Sequence, residues 1–308
     1  MPPQESCSDT CLPQFESRDQ GLLVRAPAKI NLTLLISGKR PDGFHEIETI
    51  MAKIAYYDEI VINTTPGKGI QLQCTGSHWA PNGPDNLVYQ ATEKLLREIK
   101  SNISVQITLK KNIPAGSGLG SASSDAAATL LGLNRLLKLN LPFERLHYHA
   151  SELGCDVPFF LGGPLAYCTG RGEKIEVLPQ KFDFQVVLCI PNISISTEKV
   201  YKNYQHDPNL FGHLHHQIRG YMRKNRIDLA TKMCANMLIK SCYSLYEGID
   251  ELKKSIESLG LKPLCLSGSG STLYWYSGNK NLAQVSDYVN TIERTLHCTC
   301  VIVASNQW

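Results

Sequence analysis

The chain has 308 residues, a formal net charge of +3 and 43% hydrophobic residues. That is enough to bury a core in two lobes, and too balanced in charge to point to nucleic acid as a partner. No apolar run reaches the roughly 18 residues of a membrane span. Eleven cysteines fall at neither metal-ligand nor disulfide-framework spacing. Cys155, Cys168, Cys189 and Cys265 lie among apolar neighbours and read as small, reduced core residues of a cytoplasmic protein.

Residues 1–20 are polar, proline-containing and partly acidic. They lack the apolar core of a signal peptide and the acid-poor composition of a transit peptide, so they read as a disordered extension. Structure is expected from "LLVRAPAKINLTLLISGKR", where Ile30, Leu32, Leu34 and Ile36 alternate as in a half-buried strand and Asn31 interrupts the polar side. Pro41-Asp42-Gly43 signals a turn, and the chain returns through "HEIETIMAKI". "DEIVINTTPGKGIQLQC" reads as a strand pair joined by a glycine turn, and "NLVYQATEKLLREI" as an amphipathic helix. "ISVQITL" is a strand with Ile103, Val105, Ile107 and Leu109 on one face.

The stretch "IPAGSGLGSASSDAAATLLGL", from residue 113, joins that strand to an alanine- and leucine-rich helix with serine and aspartate at its start as caps. Gly116, Gly118 and Gly120 allow positive φ and close backbone approach. Glycine amides leading into a helix N-terminus suit a phosphate; a ligand-free tight turn is the alternative. The stretch has no Lys-Ser/Thr pair, so it is no P-loop. The spacing Gly116-x-Gly118-x-Gly120 also misses the dinucleotide fingerprint.

"FERLHYHASELG" is a helix ending at Gly154. "CDVPFFLGGPLAYCTGRGEKIEVL" reads as loop, strand, turn and strand, and "FQVVLCIPN" as another strand. A lobe boundary beside it divides the chain into residues 21–182 and 183–308. Helices are expected around 197–204, 228–239 and 244–259, then strands in "PLCLSGSGSTLYWYS" and "HCTCVIVAS". "HLHH" at 213–216 lacks a ligand-spaced partner and reads as a surface segment; "RGYMRKNR" reads as a solvated helix face. Helices and strands mix without strict alternation, which predicts an α+β fold.

Three polar islands stand in apolar surroundings. Lys29 with Asn31 heads a hydrophobic strand. Lys29 either snorkels to solvent or pairs. Asp156 in "GCDVPFF" either caps a turn or accepts a proton from a substrate hydroxyl. Phe44 and His45 in "DGFHE" are either a core ring and a surface imidazole, or a stacking and edge-bonding pair for a flat heterocycle.

Together these blocks resemble the GHMP kinases. Pro114 through Ser124 match that family's Pro-x-x-x-Gly-Leu-Gly-Ser-Ser loop, and "SGSGSTLY" matches its C-terminal glycine motif. Within the family, "PAKINLTLLISGKRPDGFH", "GLGSASSDAA" and "GCDVPFFLGGPLAYCTGRGE" are most similar to a branch whose acceptor is a cytidyl diphosphate sugar alcohol. The resemblance covers residues 22–308. It implies a two-lobed GHMP kinase fold with the active site in the cleft between lobes. It also implies transfer of the γ-phosphate of ATP, with Mg²⁺, to the 2-hydroxyl of an erythritol moiety in the non-mevalonate isoprenoid pathway.

By the same match Asp156 is the general base and Lys29 the neighbouring cation, with Asn31 beside them. Pro114, Ala115, Gly116, Ser117, Gly118, Leu119, Gly120, Ser121, Ala122, Ser123 and Ser124 form the ATP loop. Asn86 and Lys111 fall where an adenine pocket is expected. Phe44 stacks on cytosine, His45 bonds its edge and Tyr201 covers the other face. Ser123 and Ser124 are both candidates to touch Mg²⁺. The implied partner is a small molecule, and the protein is expected as a monomer or weak dimer.

Three departures stand out. Phe44 replaces a more usual tyrosine, Ser121 and Ala122 replace glycines, and Asp125 replaces an asparagine. Asp125 would favour a helix N-terminus yet repel a nearby phosphate, so its direction matters. Galactokinase would need Gly-Glu-His where this chain has "DGFHE", and homoserine kinase lacks the Lys-Ile-Asn start. A non-catalytic nucleotide-binding module would not need Asp156 and Lys29 together.

Overall fold

The computed structural model describes residues 12, 14–19, 21–100, 102–179, 181–278 and 282–308. Two antiparallel-dominated sheets organise them. The first contains β1 (Phe15–Arg18), β2 (Gly21–Lys39), β3 (His45–Pro66), β4 (Gly69–Gly76), β5 (Ile103–Lys111), β6 (Leu165–Gly170) and β7 (Lys174–Val177). Its order is β1-β2-β3-β5-β4, with β6 on the other half of β3 and β7 beside β6. The second is β11-β8-β10-β9, from β8 (Gln185–Ile190), β9 (Leu264–Leu266), β10 (Leu273–Tyr276) and β11 (Thr299–Ala304).

Helices α1 (Leu87–Glu98) and α2 (Ser121–Leu136) pack on the first sheet, and α3 (Phe143–Leu153) and α4 (Val157–Leu161) pack against α2 and each other. Their cluster includes Val24, Ile60, Ile107, Leu130 and Phe159. A second cluster joins Ile30, Leu32 and Leu34 of β2 to Leu188 and Tyr274 of the other sheet. It also gathers α5 (Thr197–Lys202), α6 (Pro208–Arg223), α7 (Ile227–Lys232), α8 (Ile239–Leu245), α9 (Glu247–Ser258) and α10 (Leu282–Leu296). β2 therefore belongs to both cores. It is buried on both faces from Leu22 to Ile36, not half-buried as its alternation suggests.

The α+β architecture matches the sequence reading; several local expectations change. Residues 15–18, expected within a disordered extension, form β1 against β2, and Arg25 bonds Glu16 at 2.8 Å across it. Residues 1–11 lie outside the described residues. β3 and β4 are not a hairpin, because Glu59–Pro66 of β3 pairs with β5, and β4 runs parallel to β5 on its far side. The expected helix at 228–239 is broken. Cys234 takes φ +48°, and the chain bonds back to β2 through Leu34 N–H to Ala235 O and Met237 N–H to Leu34 O. Of α6 only the end, in "RGYMRKNR", was expected as helix; its start was not, although Asp207 caps it by accepting from the Leu210 amide and Pro208 opens it. Cys265, expected as a free thiol, is joined to Cys234 by a disulfide. Cys168 and Cys189 are free and buried, whereas Cys155 is only partly buried.

Candidate active site

A cleft of about 1040 Å³ is lined by β2, β3 and the glycine loop on one side and by α5 and the Gly268–Ser269 turn on the other. β2 supplies Lys29 and Asn31 to its wall. Lys29 is buried rather than snorkelling. Its Nζ donates to Asn31 Oδ1 at 2.5 Å and lies 3.9 Å from Asp156 Oδ2. Burial pulls the Lys29 pKa down, and the Asp156 charge opposes that pull. Asn31 is held from every side. Its amide donates to Thr49 Oγ1 at 2.8 Å, its backbone carbonyl accepts from Tyr274 Oη at 3.0 Å, and its N–H meets Ser267 Oγ at 3.4 Å.

Asp156 is the residue before α4, so "GCDVPFF" is a helix start rather than loop. Its side chain makes no capping bond and keeps 38% exposure towards the cleft. The turn-cap alternative therefore falls away. Burial and polarity leave a carboxylate facing open space beside a buried ammonium.

The glycine loop runs from β5 into α2. Gly116, Gly118 and Gly120 have φ of +66°, +80° and +72°. Gly120 is the N-cap of α2 with no side-chain capping bond, so the serine and aspartate expected as caps do not cap. A Cβ on Gly120 would stand 2.8 Å from Phe160 Cζ and 2.9 Å from Lys29 Cγ; one on Gly118 would stand 2.3 Å from Ser267 O. These glycines are thus required by protein contacts. The loop is clasped to the second glycine turn by Ser267 Oγ donating to Gly118 O at 2.9 Å and Thr272 N–H to Ser117 O at 3.0 Å.

Pro114 through Gly118 and Gly120 through Ser123 line the cleft. The N-terminal amides of the 16-residue α2 therefore open towards it, as an anion site requires. Leu119 and Ser124 do not line it; both are fully buried. Leu119 acts through its carbonyl, which accepts the Lys29 N–H at 2.9 Å.

Asn86 and Lys111 are also not brought to the cleft. Asn86 is the N-cap of α1, accepting from Val88 N–H at 2.9 Å and donating to Pro81 O at 2.8 Å. Lys111 is buried among Asp58, Ser121 and Asp125, with its Nζ 2.6 Å from Asp125 Oδ2. Asp58 in turn accepts from the Asn112 and Ile113 amides at 2.6 and 2.9 Å. The direction of Asp125 is thereby settled: it points away from the cleft. Burial pushes its pKa up to about 8, against the pull of Lys111. Burial alone would lower Lys111, but Asp125 and Asp58 outweigh it and raise it.

At the far end Phe44, His45 and Tyr201 line the cleft. Phe44 is 51% exposed, and the Arg171 guanidinium lies 5.1 Å from its ring centre. The His45 ring is 5.4 Å from that of Tyr201 and 5.6 Å, edge-on, from that of Tyr204. Burial, then Lys39 and His206, lower the His45 pKa, so its imidazole is neutral near pH 7 with one donor and one acceptor. Sequence reasoning gave no role to Ser267, Thr49, Tyr204 or Arg171. Ser267 and Arg171 stood inside quoted motifs, but nothing local marked them as site residues. His215 of "HLHH" instead bonds Glu48 at 2.7 Å. Among the described residues no His, Cys, Asp and Glu cluster suits a metal.

A two-lobed fold with a glycine loop at a helix N-terminus and a Lys–Asp pair on the cleft wall beside it defines a small-molecule kinase of the GHMP class. Residues 86–163 match the GHMP kinases N terminal domain. A 4-diphosphocytidyl-2-C-methyl-D-erythritol kinase from Macrococcus caseolyticus is 36% identical over 273 residues, covering 87% of this chain and 94% of the relative. One from Chloroherpeton thalassium is 39% identical, covering 82% and 87%. A crystal structure of 4-(cytidine 5'-diphospho)-2C-methyl-D-erythritol kinase superposes with a TM-score of 0.72 at 28% identity, over 93% of this chain and all of that one. The crystal structure of an L. major mevalonate kinase in complex with R-mevalonate shares the fold, with a TM-score of 0.68 at 17% identity over 97% of this chain and 98% of its own. The chain belongs to the 4-diphosphocytidyl-2-C-methyl-D-erythritol kinases.

Proposed function

We propose that this chain transfers the γ-phosphoryl group of ATP to the 2-hydroxyl of 4-diphosphocytidyl-2-C-methyl-D-erythritol, the kinase step of the non-mevalonate route to isoprenoid precursors, with Asp156 meeting that hydroxyl. The observation that carries the residue assignment is the Lys29–Asp156 pair, 3.9 Å apart, on the cleft wall that also holds the N-terminus of α2. The hydroxyl oxygen forms a bond to the γ-phosphorus as the bond to the β–γ bridging oxygen breaks. ADP departs, and the hydroxyl proton passes to the Asp156 carboxylate. Phosphoryl transfer asks mainly for positioning and charge stabilisation. Lys29 Nζ lies 3.9 Å from the same carboxylate, so Asp156 serves to orient the hydroxyl as well as to take its proton.

The amides of residues 116–123 take the triphosphate. Mg²⁺ needs few protein ligands when phosphates supply oxygens, and the cleft-lining Ser123 hydroxyl and Asp156 carboxylate fit it better than the fully buried Ser124. Bound there, the ion would neutralise charge on the β- and γ-phosphates. Phe44, His45 and Tyr201 hold the cytosine. No helix among the described residues is long and apolar enough to cross a membrane. The reading is of a cytoplasmic monomer or weak dimer, with lobes at 21–182 and 183–308, acting on a small molecule.

A coupled ADP-release assay with ATP, Mg²⁺ and the cytidyl substrate, beside mevalonate, homoserine and galactose, tests this. Turnover confined to the cytidyl substrate is expected. Asp156→Asn should lower kcat by about 10²–10⁴ while leaving nucleotide binding intact. Turnover of another acceptor, or an unimpaired variant, refutes the assignment.

A further inference from the structure

β2 and β3 set two lysines directly opposite each other, Lys29 and Lys53. Opposed residues of an antiparallel pair share a face. Here each lysine meets one end of α4. Lys29 approaches the N-terminal end at Asp156. Lys53 meets the C-terminal end, where its Nζ donates to Phe160 O at 3.1 Å and Gly162 O at 2.7 Å. The backbone N–H of Lys53 adds a bond to Pro164 O at 2.8 Å. One residue thus makes three bonds to the exit of a five-residue helix.

A helix this short has no internal partners for its last carbonyls, and inside an apolar cluster a bare carbonyl is costly. Lys53 is 1% exposed. Among the described residues no carboxylate lies within salt-bridge distance of it, and the nearest aromatic face, that of Phe159, is 6.0 Å from Nζ. A lysine is an expensive way to fill such a place. Its backbone carbonyl accepts from Asn306 N–H at 2.9 Å, but both bonds from its side chain fall at the C-terminal end of α4, the helix that follows the candidate catalytic carboxylate.

The structure assigns Lys53 as a positioning residue for phosphoryl transfer: by holding the C-terminal carbonyls of α4 it sets where Asp156, at the other end, meets the acceptor hydroxyl. This rests on the reading of Asp156 given above. The same helix presses the Phe160 ring against Gly120 of the ATP loop and the stem of Lys29. A shift of α4 therefore moves the carboxylate and the floor of the loop together. Burial pushes the Lys53 pKa down to about 7. The ammonium and the neutral amine both donate to carbonyls, so the seat depends on the N–H groups rather than on charge.

The test is steady-state kinetics on the full chain with Lys53→Met, which keeps an unbranched stem without donors, Lys53→Gln and Asp156→Asn, each checked for fold by thermal melt and binding of an ATP analogue. Lys53→Met should lose about tenfold or more in kcat, with KM for ATP and for acceptor within about threefold of wild type. Lys53→Gln, which keeps an N–H on a shorter side chain, should fall between the two. A lower melting temperature with kcat within twofold of wild type would overturn the assignment and leave Lys53 a structural plug; so would a rise in both KM values with kcat kept. If Lys53→Met does not fold, Lys53→Gln carries the comparison, with a threefold or larger loss in kcat at unchanged KM expected and a kcat within twofold overturning it. An active Asp156→Asn would instead strike the underlying reading; an inactive one beside an unimpaired Lys53→Met strikes this inference alone.

Discussion

Gly118 is where the two glycine motifs touch, and substituting it measures that contact. Its φ is +80°, and an added Cβ would lie 2.3 Å from Ser267 O and 2.9 Å from Gly270 O. The left-handed conformation costs a non-glycine residue about 1–2 kcal/mol. Both contacts are backbone, so one loop must move, which costs about 1–3 kcal/mol more. Gly118→Ala should therefore destabilise by about 2–5 kcal/mol, a large share of a typical stability of about 5–15 kcal/mol. Gly116 is the internal control. It has φ +66° but its nearest atoms, in Ser194 and Ile195, are 3.6 and 3.7 Å away, so Gly116→Ala carries only the conformational cost. Urea unfolding of both variants against wild type gives the difference. The KM for ATP should rise in Gly118→Ala, because the loop can no longer rest on the Ser267 turn. Equal destabilisation of the two variants, within about 0.5 kcal/mol, would refute the argument that Gly118 is required by close approach.

The buried Asp125 makes a pH prediction. Its pKa is raised to about 8 from 3.8, so between those values the folded state holds a proton that the unfolded state has lost, and stability falls as pH rises through the window. Asp125→Asn mimics the protonated form and should flatten that fall, with an advantage over wild type that grows until about pH 8; an advantage independent of pH would show that Asp125 carries no such proton. At the other end of the cleft, Phe44→Ala should raise the KM for the cytidyl acceptor by the about 1–3 kcal/mol of a base–aromatic stack and leave the melting temperature unchanged, since Phe44 is 51% exposed. Because the His45 pKa is lowered and the neutral ring is the competent form, acceptor KM should rise only as the pH drops below the ordinary histidine range; a rise beginning near pH 7 would contradict a neutral His45.

The parts of the fold that sequence made legible are those decided within a few residues. The β5 alternation is there, with Val105, Ile107 and Leu109 buried, and so is the helix after the glycine loop. What could not be read depends on partners far along the chain. β5 takes the edge of β3 that a local turn reserves for β4. The segment after Cys234 breaks a helix to bond Leu34, some 200 residues earlier. β2 alternates like a half-buried strand, yet its first half enters the core built with α1 to α4 and its second half the core shared with the other sheet.

The same division runs through the candidate site. Lys29, Asn31, Asp156, Phe44 and His45 stand out as polar or aromatic residues in unlikely company, Tyr201 is marked only by the family resemblance, and the fold brings all six to one cleft. Lys111 and Asp125 illustrate the opposite case. Read locally, Asp125 is a negative charge two positions from the last loop residue that lines the cleft, Ser123, and Lys111 is a cation near the nucleotide. Asp58, 67 residues from Asp125, binds the same Lys111 ammonium and the loop amides of Asn112 and Ile113. The cluster ties the middle of β3 and the end of β5 to the first turns of α2. Its charge is spent beneath the loop rather than in the cleft. The asparagine-to-aspartate departure is thus a change in what supports the loop, and its cost falls on stability at rising pH before it falls on phosphate binding.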